Sequence, residues 1–376
     1  MSELVELHAA MVQLPSVNPC GREPAGPHEG EARMAPFVHE WLANRGIDCW
    51  RQEVLPGRDN VVARVEGREE PPIVFEAHLD TVAAEGMTVP PFEGLIEDGR
   101  LYGRGACDVK GGLAAMMMAL ARVAQGEPPP RTVVLVAAAD EEYLHGGARR
   151  FLEDSGPVEA AVIGEPTRLR VIIAHKGALR VRVITHGVSA HSSNPEQGTN
   201  AVYRMARVVT ALEDFAQSLS EREPHPLVGG PTLSVGTIRG GAAVNVVPER
   251  CEIMVDRRLI PGETPAQALD DIAEAIGGVL ADGDEVMPTL EDWAVETEAV
   301  ADIVALARRG VREVTGDDLV EGVAYCTDGC DFAERGVPLV VLGPGDIAQA
   351  HTADEWIELR QVELAADIYE RIMRGG

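Results

Sequence analysis

RTVVLVAAADEE, residues 131–142, is a run of apolar, partly β-branched residues that ends in three acids. Two other segments repeat this plan: PIVFEAHLDTV (72–82) ends in polar residues around His78, and AAVIGEPT (160–167) ends around Glu165. Near-continuous apolar strands are typical of a parallel sheet that is covered on both faces. Ligands of such open sheets bind at the carboxyl ends of the strands. This part of the chain therefore predicts an α/β sheet with a polar site along that edge.

The pattern changes near Lys176, where GALRVRVITHG (177–187) alternates apolar and charged residues as a half-buried strand does. The segments that follow predict the order strand–helix–strand–strand–helix–strand, which is the split βαβ order of a ferredoxin-like domain. Beyond them the α/β pattern returns. We therefore predict a mostly parallel α/β catalytic domain, residues 1–175 plus 292–376, with a ferredoxin-like α+β domain, residues 176–291, inserted into it as a lid or dimerisation domain.

Composition excludes several classes of protein. The net charge of −28 and the lack of a basic stripe exclude a nucleic-acid-binding surface. No apolar run approaches the roughly 20 residues that a membrane span requires. The acidic N-terminal segment does not resemble a secretory signal, so we expect a cytoplasmic protein. The six cysteines are scattered, unlike a disulfide framework, and Cys326 and Cys330 lack a second pair that would complete a metal site.

His78 and Asp80 lie two residues apart at the end of a predicted strand, so their side chains share a face. A lone histidine in such a place is usually a buried residue with a satisfied ring. The His-x-Asp pair instead suggests that His78 is a metal ligand, with the Asp80 carboxylate behind it fixing the tautomer of the ring.

Other acidic residues fall at similar strand ends and loops. Asp108, set among glycines, reads either as the cap of the following helix or as a carboxylate whose two oxygens bind two ions. Glu141 and Glu142 are consecutive residues at a strand end and are predicted to point to different sides, which suits a general base and a ligand. Together with Glu165 and His351, they predict a two-metal hydrolytic site.

These phrases, in this order, resemble the family of two-zinc metallohydrolases that contains acetylornithine deacetylase, succinyl-diaminopimelate desuccinylase, aminoacylase and carboxypeptidase G. The resemblance spans essentially the whole chain, through EAHLDT (76–81), GRGACDVKGG (103–112), DEE (140–142), GEPT (164–167) and QAHTADE (349–355). It implies two Zn²⁺ ions, or Co²⁺, bridged by Asp108, with His78 and Glu165 completing one ion and Glu142 and His351 the other. It also implies that Glu141 is the general base and that the peptide bond after Asp108 is cis.

The inserted domain carries the resemblance further, through SAHSSNPEQGTNA (189–201) and NVVPERCEIMVDRRLIPGE (245–263). It implies that His191 stabilises the developing oxyanion across the interface of a homodimer, and that Asn245 and Arg258 hold the carboxylate of the substrate. The local chemistry agrees, because an arginine fork suits a carboxylate and an N–H donor suits an oxyanion. The alternative for His191 is a histidine of a surface loop.

Within this family, residues 325–359 are most similar to acetylornithine deacetylase. This implies hydrolysis of a small N-acyl amino acid, N-acetyl-L-ornithine, to L-ornithine and acetate, a step of arginine biosynthesis. Asp328-Gly329-Cys330 departs from that pattern next to the expected substrate pocket. A desuccinylase, aminoacylase or glutamate-type carboxypeptidase with the same site stays open. So do a catalytically silent metal-binding module and a single-metal aminopeptidase of another fold.

Overall fold

A computed structural model describes residues 2–376, which form two compact units. The first consists of the residues up to Ile173 together with Thr297–Glu321 and Thr327–Gly376, and the second of Ala174–Glu296 and Gly322–Cys326. The sequence places the domain boundaries at 175/176 and 291/292. The return of Gly322–Cys326 to the second unit is a feature that the sequence pattern does not suggest.

The described residues contain ten helices: α1 (Glu3–Val12), α2 (Met34–Ala43), α3 (Gly111–Ala124), α4 (Glu141–Leu144), α5 (Gly146–Asp154), α6 (Ala201–Ser220), α7 (Pro265–Gly277), α8 (Asp302–Thr315), α9 (Gly329–Glu334) and α10 (Leu359–Met373). The strands are β1 (Asp48–Leu55), β2 (Arg58–Val65), β3 (Glu69–His78), β4 (Leu95–Glu97), β5 (Arg100–Tyr102), β6 (Arg131–Ala138), β7 (Ala160–Ile163), β8 (Val171–His175), β9 (Gly177–His186), β10 (Thr232–Gly240), β11 (Arg250–Leu259), β12 (Glu285–Asp292), β13 (Val295–Glu296), β14 (Val320–Val323), β15 (Leu339–Val341) and β16 (Trp356–Glu358).

The first unit is built on a sheet whose strands lie in the order β1-β2-β6-β3-β7-β15-β8. The central strands β6, β3, β7 and β15 run parallel, whereas β1, β2 and β8 pair antiparallel towards the two sides. The central strands are buried because helices cover the sheet: α3 packs against β3 and β6, and α10 packs against α3. The prediction of a mostly parallel α/β sheet is confirmed, with antiparallel strands added at its margins.

The second unit is a four-stranded antiparallel sheet in the order β10-β11-β9-β12. Helices α6 and α7 bury their apolar faces on it, and α7 begins with a capping box in which Thr264 and Gln267 bond each other's main chain. The chain order β9-α6-β10-β11-α7-β12 is the predicted ferredoxin-like order, which is confirmed. Strand β10 lies at an edge of the sheet, and most of its residues are exposed.

Candidate metal centre

The predicted site residues of the first unit meet at the carboxyl ends of its parallel strands. His78 is the last residue of β3, Glu141 and Glu142 follow β6, and Glu165 follows β7. Because β3 lies between β6 and β7, the ends of these three strands are neighbours. The sheet therefore gathers acidic residues and a histidine that are far apart in the sequence.

Asp108 lies between the two histidines. Its Oδ1 atom is 3.2 Å from Nε2 of His78, and its Oδ2 atom is 3.2 Å from Nε2 of His351. Glu165 Oε1 lies 3.6 Å from His78 Nε2, and Glu142 Oε2 lies 3.3 Å from His351 Nε2. The structure thus forms two groups that share Asp108, and each could hold a metal ion.

An irregular turn, Ala106–Lys110, presents Asp108 ahead of helix α3. Gly105 leads into the turn with φ of 81°, in the left-handed region that glycine adopts without a steric penalty. The peptide bond between Asp108 and Val109 is cis, as the resemblance implies. The side chain of Asp108 makes no capping bond to α3, so the interpretation of Asp108 as a helix cap is not supported.

The carboxylate of Asp80 makes contacts other than the predicted one. Nδ1 of His78 is 2.9 Å from the main-chain oxygen of Asp80 but 3.8 Å from its carboxylate. That carboxylate accepts hydrogen bonds from the N–H groups of Glu141 and Glu142, both at 3.1 Å, and from Asn18 at 2.7 Å. The prediction that the Asp80 carboxylate fixes the tautomer of His78 is therefore wrong. The carbonyl of Asp80 does so, because the carboxylate is engaged by the turn that carries Glu141.

Glu141 and Glu142 begin helix α4 and do not extend strand β6, so the predicted strand-end geometry is wrong. Asp140, with φ of 67°, turns the chain out of the strand. The two side chains nevertheless point to different partners. Oε2 of Glu141 is 3.8 Å from His78 Nε2, whereas Glu142 faces His351.

The electrostatics of the centre favour bound cations. Burial raises the pKa of Glu141 and Glu165 well above the usual range, and neighbouring carboxylates add to this effect. Burial acts in the same direction on Asp108, but hydrogen bonds from the two histidines outweigh it and lower the pKa of this carboxyl. Hydrogen bonds to two carboxylates raise the pKa of His351 to about 10. Metal ions would replace the protons on these histidines, since a ligating imidazole must be neutral.

Sequence reasoning missed a buried network behind the centre. Arg58 donates to both oxygens of Glu31, at 2.6 and 2.7 Å, and to Asp140 at 2.9 Å. Asn18 connects Asp140 with the carboxylate of Asp80. These residues hold the turn that carries Glu141 and Glu142. No periodic signal of the sequence marks these residues, because their partners are brought together only by the tertiary fold.

Comparison with known proteins identifies the family. The model of peptidase family M20/M25/M40 matches residues 74–375. Acetylornithine deacetylase of Proteus mirabilis is 32% identical over 98% of this chain and 95% of its own length, and that of Myxococcus xanthus is 33% identical over 96% and 94%. The chain belongs to peptidase family M20/M25/M40. It is therefore a metal-dependent amidohydrolase.

Solved M20 structures share the fold. A metallo-carboxypeptidase of this family from Sulfolobus solfataricus superposes with a TM-score of 0.81 over 100% of this chain and 99% of that one, at 18% identity. A dinuclear metal-binding M20 peptidase from Bacillus subtilis gives a TM-score of 0.72 over 99% and 96%, at 16% identity. Among the helices of residues 2–376, none is both long and apolar enough to cross a membrane.

The M20 lid residues predicted in the second unit lie at two ends of its sheet. His191 is exposed, with Nδ1 2.8 Å from Ser193 Oγ, and its loop is bonded to that of Asn245. Arg258 pairs with Asp256 near the far end of β11. At about 3.3 Å per residue, the strand from Arg250 to Arg258 spans roughly 26 Å. A single copy of the chain therefore does not bring Asn245 and Arg258 together, and their joint binding of one carboxylate stays a prediction.

Asp328 lies in the interior beside the metal centre, where its charge contributes to the raised pKa of Glu141 and Glu165. Its carboxylate is buried at the start of α9, next to the carboxyl group of Glu76. Burial raises the pKa of Asp328, whereas the interaction with the Glu76 carboxyl acts in the opposite direction. The departure from the deacetylase pattern at this position is thus an interior change. Cys330 beside it is buried as well, and none of the six cysteines forms a disulfide.

Proposed function

We propose that this chain is a two-metal deacetylase that hydrolyses N-acetyl-L-ornithine to L-ornithine and acetate. The position of Asp108, with one carboxylate oxygen towards each histidine, is the observation that carries the two-metal assignment. The substrate assignment rests on relatives named acetylornithine deacetylase, which are similar over nearly the whole chain. It places the enzyme in arginine biosynthesis. Cysteines that form no disulfide fit the expected cytoplasmic location, where thiols stay reduced.

Two Zn²⁺ ions fit the donor atoms of the centre, and Co²⁺ is an alternative. Ligand atoms of a tetrahedral zinc site with bonds of about 2.1 Å lie about 3.4 Å apart. The contacts of the two histidines with their carboxylates, from 3.2 to 3.6 Å, match this spacing. We assign His78, Asp108 and Glu165 to one ion and Asp108, Glu142 and His351 to the other.

When bound, the two ions supply Lewis-acid activation of the water and of the amide carbonyl. Glu141 accepts a proton from the attacking water, whose oxygen forms a bond to the carbonyl carbon. As the C–N bond breaks, Glu141 gives that proton to the leaving amine, so acetate and the free amino acid are released. Glu141 is largely buried beside the two groups of ligands, which suits a group that takes up and returns a proton at the reacting water.

The active form that we propose is a homodimer. Arg258 grips the carboxylate of the substrate, and His191 and Asn245 of the partner subunit complete the site, because one copy holds these residues at opposite ends of a sheet. The exposed edge strand β10 supports this arrangement: Ile238 on β10 is exposed, as are the nearby apolar Tyr203 of α6 and Val244. Natural proteins cover such edges. A sedimentation experiment that finds a fully active monomer would contradict the dimer.

A substrate panel tests the proposed reaction. Amine release is measured after Zn²⁺ or Co²⁺ loading with N-acetyl-L-ornithine, N-succinyl-diaminopimelate, N-acetyl-methionine and a peptide with a C-terminal glutamate. We expect the highest kcat/KM with N-acetyl-L-ornithine and no turnover after chelation. A preference for another compound would leave the proposed metal centre unchanged but would assign the chain to the activity that acts on that compound. No turnover of any compound by the metal-loaded protein would favour the catalytically silent module.

A further inference from the structure

Glu355 is a buried carboxylate beside the centre to which neither the mechanism nor the sequence motifs give a role. It lies shortly after His351, just before strand β16, and its side chain is fully buried. A buried carboxylate destabilises the fold unless several donors compensate its charge. The surroundings of Glu355 supply such donors from one place, the turn that presents Asp108.

Each oxygen of Glu355 accepts two hydrogen bonds. Oε1 accepts from the N–H groups of Cys107 at 2.8 Å and Asp108 at 3.0 Å. Oε2 accepts from the N–H group of Gly105 at 3.0 Å and from the Arg104 guanidinium at 2.7 Å. The turn departs from regular helix, so these N–H groups lack the partners that a helix would give them. Glu355 therefore holds the backbone that aims the carboxylate of Asp108.

The same residues connect the Asp108 turn with the loop of His351. Arg104 also donates to the main-chain oxygen of Thr352, next to His351, and the N–H group of Gly103 donates to the main-chain oxygen of Glu355. The bridging ligand and the last histidine are thus held by one set of contacts. Neither element is fixed by the central sheet, unlike His78 at the end of β3.

We propose that Glu355 is a positioning residue that sets the distance between Asp108 and His351 before the metal ions bind. This inference rests on the ligands proposed above. Glutamine in place of Glu355 keeps the shape of the side chain, but it removes the charge and turns an N–H₂ group towards backbone donors. The ion held by Asp108, Glu142 and His351 should then bind more weakly.

The test is a titration of the metal-free protein with Co²⁺, followed by visible absorption and by the bound cobalt after gel filtration. Asp354→Asn is the matched control, because Asp354 is the exposed neighbour of Glu355 and its change removes the same charge. We expect wild type and Asp354→Asn to bind two ions. We expect Glu355→Gln to bind one of them about 10- to 100-fold more weakly, with an altered spectrum.

The outcomes separate this inference from the proposed function. Binding of fewer than two ions by the wild type would overturn the two-metal centre itself. Superimposable titrations and spectra of wild type and Glu355→Gln would overturn the role of Glu355. If that variant does not fold, amide hydrogen exchange of the metal-free wild type tests whether the Asp108 turn is held in place before metal binding. Slow exchange of the peptide that contains Gly105, Cys107 and Asp108 is expected, and exchange as fast as in an unfolded peptide would contradict a turn that is held before metal binding.

Discussion

The two units hold their functional residues in opposite ways. In the first, His78, Asp108 and Glu165 are buried at the edge of a parallel sheet, and carboxylates behind them bond the backbone that carries the ligands. In the second, His191 and Asn245 lie exposed in loops at one end of an antiparallel sheet. The first unit therefore contains a centre that is complete within one chain. The second holds His191 and Asn245 at one end of its sheet and Arg258 near the other.

This difference separates the metal centre from the residues that are expected to contact the substrate. The buried centre holds its residues at fixed distances, so its changes should alter metal binding or the rate of the chemical step. The residues of the second unit should act on the substrate, either on the oxyanion or on the carboxylate, and their changes should leave metal binding intact. The predictions below follow this division from the largest expected effect to the smallest.

The neighbouring acids Glu141 and Glu142 should respond differently to the same substitution. Glu141→Gln should lower kcat by about 10³- to 10⁴-fold because it removes the general base, with two metal ions still bound. Glu142→Gln should lose the ion shared with His351. Metal analysis and kcat of both purified variants check this. Comparable metal loss in both variants, or Glu141→Gln activity within tenfold of wild type, would contradict the assigned roles.

His191 tests whether the second unit works across an interface. His191→Ala should lower kcat by about 10²- to 10³-fold, since it removes a donor to the oxyanion. Mixing His191→Ala with Glu141→Gln should restore activity. In random C2 dimers about a quarter of all sites would then combine an intact Glu141 with an intact His191 of the partner subunit. Subunits are exchanged and kcat is measured per site. Mixtures that stay as inactive as either variant alone would contradict cross-subunit action.

The features of the two units that could be predicted from the sequence are those marked by a periodic hydrophobic pattern or by the order of the elements. The apolar strands that end at His78, Asp140 and Glu165 predicted the sheet and its functional edge. The order of elements predicted the ferredoxin-like unit. The contacts of Glu355 and Arg58 could not be predicted. The partners of these two residues are backbone groups or side chains brought near by the tertiary fold, and neither pattern nor spacing encodes these partners.

Arg258 should affect binding of the substrate more than the chemical step. Arg258→Lys should raise KM for N-acetyl-L-ornithine by about 10-fold with little change in kcat, because lysine keeps the charge but loses the two-pronged fork. Arg258→Ala should raise KM further. Asp256→Asn is a useful second variant, because it removes the carboxylate charge with which Arg258 pairs in this structure. Steady-state kinetics with both constants resolved check this, and a fall in kcat at unchanged KM would place Arg258 in the chemical step instead.

The smallest effect on activity is expected at His8, which supports the first unit from helix α1. Its Nε2 atom bonds the main-chain oxygen of Ala106 at 2.9 Å, at the start of the turn that carries Asp108. Burial lowers the pKa of His8 to about 4, and nearby Lys110 contributes in the same direction. The folded chain thus binds the proton more weakly than the unfolded chain, whose histidine has a pKa of about 6.5. The contribution of neutral His8 to stability is complete above the pKa of about 6.5 of the unfolded chain, and it is lost as the pH falls towards 4.

From pH 7 to pH 5, protonation linked to His8 alone should lower the free energy of unfolding by about 2 kcal/mol. His8→Gln keeps a donor for Ala106 but does not titrate. The free energy of unfolding of the metal-free wild type, measured by urea at each pH, should therefore fall by about that much relative to the variant. Activity at neutral pH should stay close to wild type. Parallel stability profiles of the two proteins would show that the pKa of His8 is the same in the folded and the unfolded chain, which would contradict a neutral ring held by burial.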